Sequence, residues 1–322
     1  MLKYWLLSVA VFLGATGPAA ASDLVRPAQL LASYWLDGSA GLDISGLSFC
    51  NGELLAVSDK NSADIYSVNL TADSDSAALV PRATFAALQA PASSDGGPRA
   101  RLLSAVQGGG AADFEGITCN GQQIFVVSER HHLIATANAS GETRWLPLRW
   151  AKAAREGDFM AHFNGAGEGL VVAGDDLWVA LERNRRGLVR FANGAGPAQL
   201  LEIPPAPGLN FRGRPEDLTG LAFYDGALYT LERNAFAVCR RSLPNLLPQW
   251  CIDYRAIEEA PPYVYQETAF GKGEGLAIDS SGIYVVLDNN NVGRVADPQD
   301  RRGLLLKLAH PPVAKAQALS LQ

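Results

Sequence analysis

Five segments of the chain repeat one another, and this repetition constrains the fold more than any other feature. They are ISGLSFCNGELLAVSDK from Ile44, FEGITCNGQQIFVVSER from Phe114, GEGLVVAGDDLWVALER from Gly167, LTGLAFYDGALYTLER from Leu218 and GEGLAIDSSGIYVVLDN from Gly273. Equivalent positions Ser45, Glu115, Glu168, Thr219 and Glu274 lie 70, 53, 51 and 55 residues apart. A unit recurring at this period buries its apolar face only against its neighbours, as in propellers and solenoids.

Each unit reads as a β-hairpin, with short runs of Val, Ile, Leu, Tyr and Phe on either side of a turn. The turns are Asn51-Gly52, Asn120-Gly121, Gly174-Asp175, Asp225-Gly226 and Ser281-Gly282, residues suited to the positive φ of tight hairpins. Third strands are expected at Ile65–Val68, Leu133–Ala137, Leu188–Phe191, Phe236–Arg240 and Leu304–Leu308. Fourth strands are expected at Arg144–Leu148, Gln199–Ile203 and Gln249–Tyr254. Four-stranded meanders of this length are propeller blades. The last repeat lacks a fourth strand, but Ala28-Gln29-Leu30-Leu31 echoes Ala198-Gln199-Leu200-Leu201 and can supply it. The expected fold is therefore an all-β propeller of five blades closed by an N-terminal strand. A six-bladed ring is the alternative, with a degenerate blade within Thr71–Ala112.

The first 21 residues read as a signal peptide. Lys3 is followed by an apolar stretch from Tyr4 to Ala15, and Ala19-Ala20-Ala21 offers small residues for cleavage. The organisation is then a signal peptide over 1–21, a propeller domain over 22–308 and a flexible tail over 309–322. Export, to the periplasm or beyond, makes disulfides the expected state of the four cysteines. Cys239 and Cys251 flank a short connection and suit a bridge between adjacent strands; Cys50 and Cys119 hold equivalent places in two repeats. The formal charge of −6 argues against a nonspecific grip on nucleic acid. A monomer with no membrane span after cleavage is expected.

The repeats place acids in register. Glu115 and Glu129, Glu168 and Glu182, and Glu274 and Asp288 are each 14 residues apart, and the midpoints fall at the turns. Each pair is thus expected to face across the open end of its hairpin. Ser45 opposes Asp59, and Thr219 opposes Glu232, in the other two repeats. Like charges directly opposite destabilise a sheet. A hard cation can compensate, with Glu115, Glu168, Glu274 and Asp288 as ligands and Ca²⁺ as the favoured ion. Asp59, Glu129, Glu182 and Glu232 form a second ring of acids. Arginine can also compensate, because Lys60, Arg130, Arg183 and Arg233 follow the second acid. Inter-blade Glu–Arg pairs would then lock blades together. Otherwise Arg130, Arg183 and Arg233 are available to an anion.

Further candidates lie outside this register. Asn164 and Asn289–Asn291 could add oxygen ligands, and Arg185, Arg186, Arg212 and Arg214 could meet an anion. His131 and His132 follow Arg130 and are expected in an exposed loop, with the acid-bearing face as the alternative; Gly108-Gly109-Gly110 is expected in another loop, and His310 in the tail. No GxSxG elbow or phosphate-cradling GxxxxGK[ST] is present, and no catalytic residue is assigned.

DFEGIT from Asp113, GEGLA from Gly273, VVSER from Val126 and VLDNNN from Val286 resemble the phytase-like family of exported bacterial propellers, labelled "esterase-like activity of phytase". The resemblance spans about Leu42 to Leu308. It implies a propeller and a phosphoester or ester hydrolase acting on a small anionic or ester substrate. The alternatives are a lactonase-like propeller enzyme using the same acids, and a noncatalytic binding module of the cell envelope.

Overall fold

The computed structural model describes residues 24–71, 73–91, 112–160, 167–183 and 185–312. The signal peptide, Gly108–Gly110, Asn164 and the tail beyond 312 lie outside the described residues. Two strands, β1 (Val25–Pro27) and β2 (Leu30–Asp37), precede the first repeat. The repeats then run as meanders. The first is β3 (Ile44–Cys50), β4 (Glu53–Ser58), β5 (Ile65–Leu70) and β6 (Ser76–Arg82). The second is β7 (Phe114–Cys119), β8 (Gln123–Ser128), β9 (Leu133–Asn138) and β10 (Thr143–Trp145). The third is β11 (Leu170–Ala173), β12 (Asp176–Leu181), β13 (Gly187–Phe191) and β14 (Ala198–Glu202). The fourth is β15 (Gly220–Tyr224), β16 (Ala227–Glu232), β17 (Ala237–Ser242) and β18 (Pro248–Asp253). The last repeat holds β19 (Gly273–Asp279), β20 (Gly282–Leu287) and β21 (Leu304–Leu308).

β2 completes the last meander, pairing antiparallel with β21 from Leu30↔Leu308 to Trp35↔Leu304. It runs six residues past the expected segment, and its far end pairs parallel with β6. β1 adds a parallel edge strand to β18, a pairing the sequence did not suggest. Within 71–112, β6 is the strand among the described residues.

Local chemistry explains the hairpins. Asn51-Gly52 and Asp225-Gly226 both take positive φ, as a two-residue turn of this hand requires. The last turn departs from expectation: Asp279 pairs with Gly282, so the turn residues are Ser280-Ser281. There the Asp279 carboxylate accepts from the Ser281 and Gly282 amides at 2.8 and 3.1 Å, in place of a left-handed backbone.

Apolar residues on both faces of these hairpins fill the spaces between neighbouring sheets. Leu55, Val57 and Ile65 of the first meander meet Phe114, Ile117 and Val126 of the second. Each such side chain contributes about 1.5–3 kcal/mol on burial. The first strands approach so closely that only glycine fits. A methyl on Gly46 would lie 2.8 Å from the Glu115 carbonyl oxygen, and one on Gly116 2.5 Å from that of Glu168. Gly169 would meet Leu221 N at 2.8 Å, Gly220 the Leu276 Cβ at 3.0 Å, and Gly275 Leu47 N at 2.8 Å. The contacts run from repeat to repeat and return to the first.

Both disulfides form. Cys239 and Cys251 are direct cross-strand neighbours in β17 and β18, with Cα atoms 4.0 Å apart. Cys50 and Cys119 tie the turn ends of the first two repeats, with Cα atoms 5.8 Å apart. Among the described residues no helix is long and apolar enough to cross a membrane.

Candidate functional site

The residue before each ring glycine is Ser45, Glu115, Glu168, Thr219 or Glu274. The sequence places these residues squarely opposite an acid, but the ladder does not. Phe114 pairs with Ser128 and Gly116 with Val127, leaving Glu115 in a bulge; Ser45 and Glu274 are bulged in the same way. In the third repeat the Ala180 carbonyl accepts from Glu168 N at 3.1 Å, while Ala180 N donates to the Gly169 carbonyl at 2.8 Å. An extra residue re-aims its side chain out of the sheet. The hydroxyl repeats use this to lock the ring: Ser45 Oγ donates to the Phe114 carbonyl at 2.6 Å, and Thr219 Oγ1 to that of Gly273 at 2.8 Å. The three glutamates instead line a cavity of about 290 Å³ at the open end of the hairpins.

Asp59, Glu129, Glu182 and Asp288 join them there, with Glu267 from the loop before β19. Among the described residues eight acids therefore face three cations, Arg183, Arg233 and Lys272. Arg233 is fully engaged. Its Nε donates to Asp217 Oδ2 at 2.8 Å, Nη1 to Glu274 and Nη2 to Glu182, so it bridges three repeats. Arg183 Nε lies 3.0 Å from Glu182 Oε2. Glu115 and Glu168 make no ion pair among the described residues, and Glu168 is only 8% exposed.

Burial, then Glu129, raises the Glu115 carboxyl well above the usual carboxylate range; burial, then Glu182 and Glu115, does the same to Glu168. Burial outweighs Arg233 at Glu274 and pushes it up to about 8. Burial and the negative charge of Asp43 bring Asp288 to about 7. Asp59 is raised by burial although Lys60 lies 2.5 Å away. The side chains are all-oxygen donors of the kind a hard cation takes. Among the described residues no three His, Cys, Asp or Glu side chains converge as a ready ligand set.

Several sequence candidates lie elsewhere. Glu232 is fully buried away from the cavity, between Arg186 and Arg241, with its Oε1 2.8 Å from Arg241 Nη2. Arg130 turns back onto Asp113, with Nε and Nη2 at 2.8 and 2.9 Å from the two carboxylate oxygens, and does not line the cavity. Lys60 reaches Asp43 at 3.1 Å and Arg233 reaches Asp217, so the same device recurs in three repeats. Its signal is an Asp two residues before the bulge, as in Asp113-Phe114-Glu115-Gly116. Asn289 is held in a turn by the Val292 and Arg301 carbonyls, while Asn290 reaches the cavity. Arg186 is buried on Glu216 and Glu232; Arg185 pairs with Glu202; Arg212 and Arg214 lie over the Phe236 ring at 4.5 and 5.7 Å.

His131 and His132 are buried, not exposed. Packing against Trp145 at 5.3 Å places His131 in the core, and burial, then Arg130 and His132, holds its imidazole down at about 4. His310 stacks on Tyr224 at 5.5 Å and lies 2.7 Å from the Asp279 carbonyl oxygen. Lys272 and Glu267 were missed by sequence reasoning, because both fall outside the acid-and-base pattern of the other repeats.

Among solved structures, glutaminyl cyclase from Myxococcus xanthus superposes with a TM-score of 0.54 at 13% identity, covering 89% of this chain and 98% of its own. PQQ-bound aldose sugar dehydrogenase from Streptomyces coelicolor gives 0.46 at 13% identity, covering 87% and 98%. A gluconolactonase from Xanthomonas campestris gives 0.42 at 11% identity, covering 88% and 97%. At such identities likeness speaks of fold alone, and the cyclase supports the propeller architecture. No curated protein matches the chain. A model of the phytase-like family, described as esterase-like activity of phytase, matches residues 41–291, and the protein belongs to that family.

Proposed function

We propose that the acid-lined cavity is the active site of an exported, cation-assisted hydrolase of esters or phosphoesters, built on a five-bladed propeller. The observation that carries this reading is the pair Glu115 and Glu168, which face the cavity and make no ion pair among the described residues. Glu115, Glu168 and Asp288 would hold a hard divalent cation such as Ca²⁺, with Glu274 contributing the charge that Arg233 leaves over. Such an ion would polarise a carbonyl or phosphoryl oxygen and acidify a bound water.

The chain's own groups supply proton transfer and orientation. Burial and the neighbouring carboxylates raise the proton affinity of Glu115 and Glu168, which suits either to accept a proton from water and return it to a leaving group. Arg183, beside Glu182 and partly exposed, steadies an anionic group. The glycine contacts, which return to Gly46 after five steps, support the blade count. The two disulfides support an extracellular or periplasmic location.

The test is metal analysis of purified protein followed by phosphatase, esterase and lactonase panels, with and without EDTA. EDTA-sensitive turnover of an ester or phosphoester meets the proposal. Turnover of lactones alone would move the assignment to lactonase-like chemistry. Metal-free protein inert on every substrate would leave a binding module.

A further inference from the structure

The last repeat inverts the charge pattern of three others. Where they place Asp43, Asp113 and Asp217, it places Lys272; where they place Lys60, Arg130 and Arg233, it places Asn289. In those three repeats the cation is held by the Asp of its own hairpin. Lys272 has no such Asp; it lines the cavity alongside Glu274 and Asp288, and its ammonium pairs with Glu267 of the same lining. The backbone pins it there: Lys272 N donates to Glu258 Oε1 at 3.0 Å, and its carbonyl accepts from Asp288 N at 2.7 Å.

The partner of that ammonium is unlike the partners of Arg233. Arg233 spends each of its nitrogens on a carboxylate carried by the repeats, and those side chains are 0%, 4% and 15% exposed. Lys272, 4% exposed, ends instead on Glu267, 40% exposed, which hangs on the loop before β19. That loop also brings Phe270, 49% exposed, to the cavity. A buried ammonium has three donors and needs an anion beside it. The carboxylate that now serves it is the one most easily replaced.

We infer that Lys272 is a second anion-binding residue of the cavity beside Arg183, and that Glu267 occupies the place of the ligand's own carboxylate or phosphate group in the free protein. A ligand enters by displacing Glu267. This rests on the hydrolase reading for the identity of the ligand as substrate. It replaces Arg130 and Arg233 as the expected anion contacts.

The experiment is calorimetric titration of wild type and variants with inorganic phosphate and, separately, acetate, in EDTA. Glu267→Gln removes the competing charge and should tighten binding about two- to fivefold, the range for a partly exposed ion pair. Lys272→Met should weaken binding roughly tenfold or more, and Lys272→Arg should restore most of it. Asp59→Asn removes a charge from the same lining without touching Lys272, and should gain less than Glu267→Gln. The anion that responds identifies the group. The inference falls if Glu267→Gln binds both anions like wild type, if Asp59→Asn gains as much, or if folded Lys272→Met keeps wild-type affinity. Neither cation nor turnover enters the titration, so a blank hydrolase panel leaves a positive result standing. An active hydrolase with an unresponsive Glu267→Gln removes this inference alone.

Discussion

Gly275 faces Gly46 across the seam between the last and first repeats, and a methyl on Gly275 would sit 2.9 Å from the Gly46 carbonyl carbon. The same intimacy recurs around the ring. It sets how near the bulged residues stand, and so how tightly the carboxylates crowd.

Gly116→Ala and Gly275→Ala should therefore each destabilise by about 1–3 kcal/mol or more, because backbone, not a pliable side chain, stands in the way. Gly226→Ala is the control. It has open space around it and only its positive φ to lose, a cost of about 1 kcal/mol. Urea unfolding of the three variants should rank them in that order, and equal losses would remove the close-packed ring as the cause.

The network of Glu232 with Arg186 and Arg241 should behave as a lock. Truncating one partner of a buried pair leaves an uncompensated charge, so Glu232→Ala should cost about 3–5 kcal/mol. The loss should be the same with EDTA and with Ca²⁺, since Glu232 does not line the cavity. A loss that shrinks on adding the ion would place Glu232 with the cavity acids after all.

The bridge Cys239–Cys251 closes 12 residues, a loop whose restriction in the unfolded chain is worth about 3 kcal/mol. The double variant Cys239→Ser, Cys251→Ser should lose about that much. Peptide mapping without reductant should recover the pair, together with Cys50–Cys119, from exported material.

Much of this was legible in the chain, and the misses have physical reasons. The hairpin repeat carried the architecture because apolar alternation and turn residues act locally. Both disulfides followed from equivalent or adjacent strand positions. The bulges were invisible because an inserted residue at Glu115 keeps the spacing of 14 while moving the ladder by one. Arg233 could not be assigned from sequence, because two of its three acids come from the adjacent repeats on either side. Burial of His131 depends on Trp145, which arrives from a later strand. The inverted pair Lys272 and Asn289 was readable, but only once Asp43, Asp113 and Asp217 had been recognised as a repeating position.

The cavity acids give the last prediction, whose sign follows from linkage. A carboxyl with a raised pKa keeps its proton in the fold at pH values where the unfolded chain has lost it. The folded state then binds more protons, and stability falls as pH rises. For Glu274, raised to about 8, and Asp288, raised to about 7, the fall runs from near pH 4.5 to near pH 8 in the metal-free protein. Glu115 and Glu168 add to it in the same direction. Ca²⁺ competes with those protons, so its stabilisation at pH 8, about 2.7 kcal/mol at a hundredfold excess over Kd, should exceed that at pH 5. Glu115→Gln and Glu168→Gln should flatten the pH slope, abolish the Ca²⁺ gain and cost the metal-free fold little. Glu274→Gln should differ, because it deprives Arg233 of a partner and destabilises even in EDTA. Thermal melts of wild type and the three variants at both pH values, with EDTA and with Ca²⁺, make the comparison. A wild type indifferent to Ca²⁺ at pH 8, with Glu115→Gln and Glu168→Gln both less stable than it, would mean that these acids hold the ring together and bind no ion.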